Sequence, residues 1–385
     1  MIAATFVLQP LNLRPYGLPV SLVLIAIFAA VAALKEGRLS FSRDVLFFAP
    51  IFIILFVVDF LVAGQTRSLV FLILIIFVRF CGASFSGKQL SDTLFIVGLV
   101  CFFVSLVGVY RYHFGYDIQD SENPSGISQE FAGYSYMGIS YLPSTRNSDA
   151  IYFAVGFIIF LHRGVCGASF RALNITAAIF LFYAVLMSLS RGVWLAVLCA
   201  SIALLGWRRV VLILLPVSVL ALILVFLSNP FVFGPALVAV LSLFDAGGAN
   251  ELVSGFYKYS NEDRFFIYSA AVSDFIANPF GYGVNFSPSY ARHTGAKSVH
   301  SENIYLDFLL ILGVFSAPIF ISIIRGFRGL FLIGCKQLRG LAVSLATFLL
   351  VFHIFNSGID FVFVWFLVGL IYLIIASQNK IDASN

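Results

Sequence analysis

The stretch SVHSENIYLDFLLILG, residues 298–313, puts chemistry beside a membrane. Its second half is apolar enough for a membrane helix. Its first half sets His300, Ser301, Glu302 and Asn303 at the mouth of that helix, with Asp307 one turn inside. Histidine takes up and returns a proton near neutral pH, so His300 suits general acid–base work. A charge inside the membrane boundary is costly and usually functional. If 301–313 is helical, His300, Asn303 and Asp307 share one face. The same residues also read as a helix cap, with Ser301 and Asn303 near the start and Asp307 bonded to a neighbouring helix.

Three arginines could hold an anion. Arg191 stands in MSLSRGVWLAV, where two apolar runs are joined so closely that their helices should nearly touch. Arginine there is costly without a partner, and its fork suits phosphate or carboxylate oxygens. Snorkelling to the headgroups is the competing reading. Arg264 falls in the first turn of an expected helix, where a cation opposes the helix dipole, so helix stability does not ask for it. It could also pair with Glu262 or Asp263. Arg146, in STRNSD just before a span, is the third. The five histidines show no metal-ligand spacing on one helix, no Asp-x-Asp pair is present, and no metal or cofactor is expected. Asp59 and Asp360 could serve a proton-coupled transporter or bond helix to helix.

The elements that must position these residues follow from composition. The chain of 385 residues is 61% hydrophobic and 11% charged, against roughly 25% charged in soluble domains. This excludes a soluble fold, and the continuous apolar runs exclude an outer-membrane barrel. The expected fold is an all-α, polytopic membrane helix bundle forming one transmembrane domain over 1–385. Spans are expected near 18–34, 45–63, 68–82, 93–112, 149–162, 172–188, 192–206, 209–228, 303–324, 341–355 and 360–376. Residues 1–13 lack a signal-peptide pattern and could add a twelfth span.

With the loop at 35–44 cytoplasmic and sides alternating, fourteen of the 23 Lys and Arg fall on the cytoplasmic side against four acids, Glu36, Asp44, Asp92 and Asp382. No cysteine falls in an external loop, so no disulfide is expected. Two long loops, 113–148 and 229–302, come out on the external face. The second, before the last three spans, carries an amphipathic helix over 262–277 with Phe265, Tyr268, Val272 and Phe275 on one side, suited to the membrane surface. Asn278-Pro279 should stop it, and a turn follows at Gly281 and Gly283.

Together these stretches resemble the O-antigen ligase and polymerase superfamily of bacterial membrane glycosyltransferases. SRGVW at Ser190 to Trp194, DRFFIYSAAVSDFIANPFGYGVNF, HSENIYLDFLLILG and the polar entry RNSDA at 146–150 carry the resemblance in order. The family pattern's acid two residues before its last Gly is Ile311 here.

The resemblance implies transfer of a glycan from undecaprenyl diphosphate to an acceptor sugar hydroxyl, on the periplasmic face of the bacterial inner membrane, without a metal. Arg191 and Arg264, with Arg146, would bind the diphosphate. His300 would act on the hydroxyl, with Glu302 as substitute or orienting partner. Asn303, Asp307 and Trp194 would support them. Polymerisation of O-antigen, capsule or exopolysaccharide repeat units is the favoured activity, with the lipid-linked donor, the acceptor glycan, the bilayer and a chain-length regulator as partners and no nucleic acid. A ligase acting on lipid A core and a protein O-glycosyltransferase share the motifs. A transporter or flippase, or a non-catalytic scaffold, is the reading from another class.

Overall fold

The computed structural model describes residues 54, 57, 87–113, 129–131, 134–136, 146–166, 170–188, 190–212, 266–283, 301, 303–356, 364, 367–371 and 374–375. The expected spans at 18–34 and 68–82 lie outside them, as does all but Ile54 and Val57 of 45–63 and all but the start of 209–228. Among the described residues the fold is all-α apart from one hairpin, in which Gln129–Phe131 pairs antiparallel with Tyr134–Tyr136. That hairpin interrupts the first long loop and has no apolar run to announce it.

Helices form where the apolar runs stand. In chain order the longer ones among the described residues are α1 Gly87–His113, α2 Arg146–Val165, α3 Arg171–Met187, α4 Arg191–Leu205, α5 Phe266–Ala277, α6 Ile304–Leu312, α7 Ala317–Phe331 and α8 Lys336–Phe355. Three stretches among the described residues are long and apolar enough to cross a membrane: Ser91–Tyr110, Ile304–Phe331 and Lys336–Phe355. At 20 residues, α8 spans about 30 Å, the thickness of a bilayer's hydrocarbon core.

Small residues set how the helices meet. Gly156 of α2 lies so close to α1 that a Cβ there would sit 2.7 Å from Cys101 Cβ. Such close approach is the usual device where lipid offers no hydrophobic drive between helices. The buried core lies between α1, α2, α3, α4 and α8, with Phe153, Phe157, Phe348 and Phe352 its largest buried side chains.

Packing sets the helix directions in the core. Gly192 faces Phe355, Ala200 O accepts from Ser344 Oγ at 2.7 Å, and Leu204 faces Gly340, so α4 and α8 run antiparallel. His162 Nε2 meets Gln337 O at 3.1 Å, so α2 is also antiparallel to α8. One end of the bundle therefore collects the end of α1, the start of α2, the α3–α4 turn and the end of α8. Arg163, Arg171, Arg208, Lys336 and Arg339 lie toward the other. There the Cys166 thiol is pushed up, chiefly by burial and then by Cys335, which disfavours a reactive thiolate.

Two expectations need correction. The hairpin at Arg191 is as tight as the sequence implied, yet α3 and α4 meet little beyond their turn. α3 packs on α2, and α4 packs chiefly on α8. The span expected at 303–324 is not one continuous helix. It breaks at Gly313 into α6, a 3-10 turn over Gly313–Ser316, and α7.

Candidate functional site

The break at Gly313 is filled by the Gly-x-Gly turn. α5 ends at Ala277, and Asn278 Nδ2 donates to Gly281 O at 2.8 Å, closing the turn after Pro279. Tyr282 N donates to Leu310 O at 2.8 Å, Gly283 N to Ile311 O at 3.0 Å, and Val314 N to Pro279 O at 2.8 Å. These bonds satisfy carbonyls and an amide that the broken helix would otherwise leave bare, as membrane depth requires. Gly281 (φ 86°) and Gly313 (φ 59°) face each other backbone to backbone, and a Cβ at Gly281 would lie 2.6 Å from Ile311 O. Ile311 itself is buried among apolar groups, so the site has no acid at that position.

α5 packs on α6 through buried Ala271 and half-buried Phe275, in a small cluster with Ile304, Phe308, Leu310, Ile311 and Leu312. Ala271 meets α6, while Val272 beside it is 45% exposed. Phe265 and Arg264 lie outside the described residues. Tyr268, expected as an apolar contact, uses its hydroxyl: Oη donates to Ile354 O at 2.9 Å.

The mouth of α6 is an ordered knot. Asn303 caps the helix, its Oδ1 accepting from Tyr305 N at 2.9 Å and Leu306 N at 3.2 Å. Its Nδ2 donates to Ile354 O at 3.1 Å, the same carbonyl that Tyr268 uses. Tyr305 Oη donates to Leu350 O at 2.9 Å, one turn along α8. Asp307 is fully buried, at 0% exposure. Its Oδ1 accepts from both Ser301 N and Ser301 Oγ, each at 2.7 Å. That oxygen is thus held by the residue's own entry turn. His300 and Glu302 lie outside the described residues.

The turn before α4 is fixed by the residues of SRGVW. Ser188 Oγ donates to Val185 O at 2.7 Å, and Trp194 Nε1 donates to the same carbonyl at 2.9 Å. Trp194 thus staples the end of α3 to the start of α4. Arg191 is the first residue of α4, and no side-chain bond from Ser190 caps that helix. A Cβ at Gly192 would lie 2.9 Å from Phe355 Cβ and 3.2 Å from Asn356 Nδ2, so α4 starts flush against the end of α8. Arg146 is the first residue of α2. The side chains of Arg146 and Arg191 are outside the description.

Three sequence segments therefore meet residues 354–356: Gly192 from the first, Tyr268 from the second, Asn303 from the third. One residue there escaped the sequence reading as a site candidate. His353 is 5% exposed, and its Nδ1 lies 3.1 Å from Asn356 O. A carbonyl only accepts, so Nδ1 carries the proton and Nε2 is an acceptor, with no partner among the described residues. Its signal was a polar residue inside the apolar run FLLVFHIF.

Helices of this length and composition define a membrane protein, and three of its segments gather in a polar knot at one bundle end. Residues 176–321 match the family model described as O-Antigen ligase, a stretch that holds all three converging segments. The match supports the O-antigen ligase/polymerase superfamily and with it a membrane enzyme of ligase or polymerase type. No curated protein and no solved structure matches the chain.

Proposed function

We propose that this chain transfers a glycan from undecaprenyl diphosphate to an acceptor sugar hydroxyl, and that it polymerises polysaccharide repeat units at the periplasmic face of the inner membrane. The observation that carries the reading is the meeting of the three motif segments at residues 354–356. Arg191 adjoins Gly192, His300 stands three residues before Asn303, and Arg264 stands four before Tyr268. Arg191 also opens α4, and helix N-termini favour anions.

In this reaction the acceptor oxygen attacks the anomeric carbon of the donor, and the bond from that carbon to the diphosphate oxygen breaks. Direct attack inverts the anomeric centre. His300 takes the acceptor's proton, with Glu302 beside it to orient the ring. Charge grows on the departing diphosphate. The guanidinium groups of Arg191 and Arg264, with Arg146 at the start of α2, stabilise it electrostatically, which is the work a metal would otherwise do. The leaving lipid stays in the bilayer, which accounts for a site at the helix mouths rather than in a soluble domain.

The test is purified protein incubated with lipid-diphosphate repeat units alone. A ladder of longer lipid-linked glycans, lost in His300→Ala and Arg191→Ala with both variants still folded, is the expected result. A product formed only after lipid A core is added would make the chain a ligase instead. No product with either acceptor would sink the transferase reading and favour a transporter. Transporters pair two interrupted helices, and among the described spans one such break is present, at Gly313.

A further inference from the structure

The helix before the Gly-x-Gly turn is tied to the bundle at two depths. At its start, Tyr268 Oη donates to Ile354 O, the carbonyl that Asn303 also uses at the mouth of α6. At its end, the turn is bonded to the far end of α6 through Leu310 O, Ile311 O and the amide of Val314. α6 has nine residues, so at roughly 1.5 Å per residue its far end lies about 13 Å below the mouth. Between the two ties, Ala271 and Phe275 pack along α6 in the cluster that runs from Ile304 to Leu312. α5 and α6 therefore run side by side in one direction, away from the mouth. A helix lying on the membrane surface would keep both ends at one depth. The chain is level with Ile311 at Gly283 and back at the mouth by Ser301, whose Oγ donates to Asn303 O at 2.9 Å. It goes in and comes out on the same side.

Two further observations say what surrounds that depth. First, the turn bonds its polar groups within the protein. Asn278 O accepts from Gly281 N at 3.1 Å, and Asp274 O accepts from Asn278 N at 3.0 Å and from Tyr282 Oη at 2.8 Å. At a surface water would satisfy such groups, whereas irregular backbone at membrane depth must be bonded to protein. Second, the side of α5 turned away from α6 is apolar. Val272 and Ile276, one turn apart, are exposed, and Phe280 of the turn extends the row, with Ile276 at 69% and Phe280 at 70% exposure. Asp274, two residues on from Val272, falls on the opposite side of the helix and is half-buried. The rings of Phe280 and Phe315 lie 6.4 Å apart. That contact joins the row to the exposed Ile321, Ile324 and Phe331 of α7, further along the same membrane-crossing stretch.

We propose that α5 and the 278–283 turn form a re-entrant element, sunk from the mouth to near the middle of the bilayer, whose row of Val272, Ile276 and Phe280 contacts the hydrocarbon chains of the leaflet on the mouth side. The depth of the turn matches the hydrocarbon of one leaflet, about 15 Å. The row carries no polar or charged side chain, and it continues a span's exposed apolar side, so acyl chains are the partner it fits. This placement follows from packing alone, whatever reaction the protein runs. It makes residues 266–283 part of the membrane domain without adding a span.

The experiment places trifluoromethyl-phenylalanine at Phe266 or at Phe280, one at a time, in the full chain reconstituted in phosphatidylethanolamine–phosphatidylglycerol bilayers. Fluorine NMR then reads line broadening by a water-soluble nickel chelate, by a lipid nitroxide near the headgroup and by a lipid nitroxide at the chain end. The Phe280 signal should be lost with the chain-end nitroxide and unchanged with the chelate. The Phe266 signal, at the mouth, should be lost with the headgroup nitroxide. In the unlabelled wild type, a phospholipid with a diazirine at its chain end should crosslink within 276–280. Loss of both signals to the headgroup nitroxide alone would make α5 a surface helix and overturn the proposal. Broadening at Phe280 by the chelate would overturn it too, since the row would then line a water-filled cavity. A Phe280 signal that no agent touches, or a wild type that crosslinks only to a headgroup diazirine, would mean that protein covers the row and would equally sink it.

Discussion

Gly313→Ala is the sharpest test of how the site is held. At φ 59° and ψ −138° residue 313 occupies backbone space that L side chains rarely adopt, a strain of about 1–3 kcal/mol for alanine. The new Cβ would overlap the Pro279 carbonyl oxygen and the Phe280 carbonyl carbon. Both are backbone atoms, so no side chain can swing aside. The 279–283 turn must retreat, and three bonds go with it: Tyr282 to Leu310, Gly283 to Ile311 and Val314 to Pro279. At about 1 kcal/mol net for each, the total loss is about 4–6 kcal/mol.

That loss is comparable to the whole stability of a small domain, about 5–15 kcal/mol. The expected outcome is therefore local: α5 and its turn leave α6 while the α1–α4 and α8 core stays folded. The assay is hydrogen exchange in detergent micelles, read at the amides of Tyr282, Gly283 and Val314, with limited proteolysis across 279–283 alongside. Gly281→Ala strains the same contact, so the double variant should lose clearly less than the sum of the two. Amides as slow as wild type in Gly313→Ala, or strictly additive losses, would refute the reasoning.

Three further outcomes are expected. Trp194→Phe keeps the ring but drops the bond to Val185 O, which should cost about 1–2 kcal/mol, read as a lower unfolding midpoint. Asn303→Ala removes both the cap and the tie to Ile354 O, about 2 kcal/mol together. Tyr268→Phe, which leaves Asn303 on that carbonyl, should cost about half as much in the same unfolding assay. Gly156→Leu drives side-chain bulk into Cys101 and should destabilise the α1–α2 contact by about 1–3 kcal/mol; the Gly156→Leu, Cys101→Gly pair should recover part of the loss.

The helices were readable because their signal is local. An apolar run such as that of α1 or α8 needs no partner to declare itself, and α1, α2, α3, α4 and α8 fall on the expected spans. The interruption at Gly313 was not readable. In FLLILGVF a glycine inside an apolar run looks the same whether it lets two helices approach or ends one. What decides is the turn thirty residues earlier, whose amides replace the missing helical bonds. The contact of α5 with α6 was not readable for a related reason: Ala271 is too small to weigh in a hydrophobic pattern, yet it lies in the buried cluster with α6.

At the site the residue types were legible and their partners were not. Asn303 reads as a cap and is one. Asp307 reads as an intramembrane acid, and two bonds to it come from Ser301, six residues back, a spacing no helical period suggests. Tyr268 and Asn303 share the carbonyl of Ile354, and a backbone acceptor carries no sequence signal. His353 was visible as a polar residue in an apolar run, and only its burial and its bond to Asn356 set it apart.

The interlock of the 279–283 turn with the end of α6 has a consequence for anyone building hybrids from related chains. Residues 266–283 and 303–316 are separate in sequence but behave as one cassette, joined by backbone bonds and by two facing glycines. A graft that imports the loop alone brings a turn cut to another helix's break, and a graft of the span alone leaves its own break unfilled. Exchanged together, with the α8 end on which both lean, they should transplant as a working part.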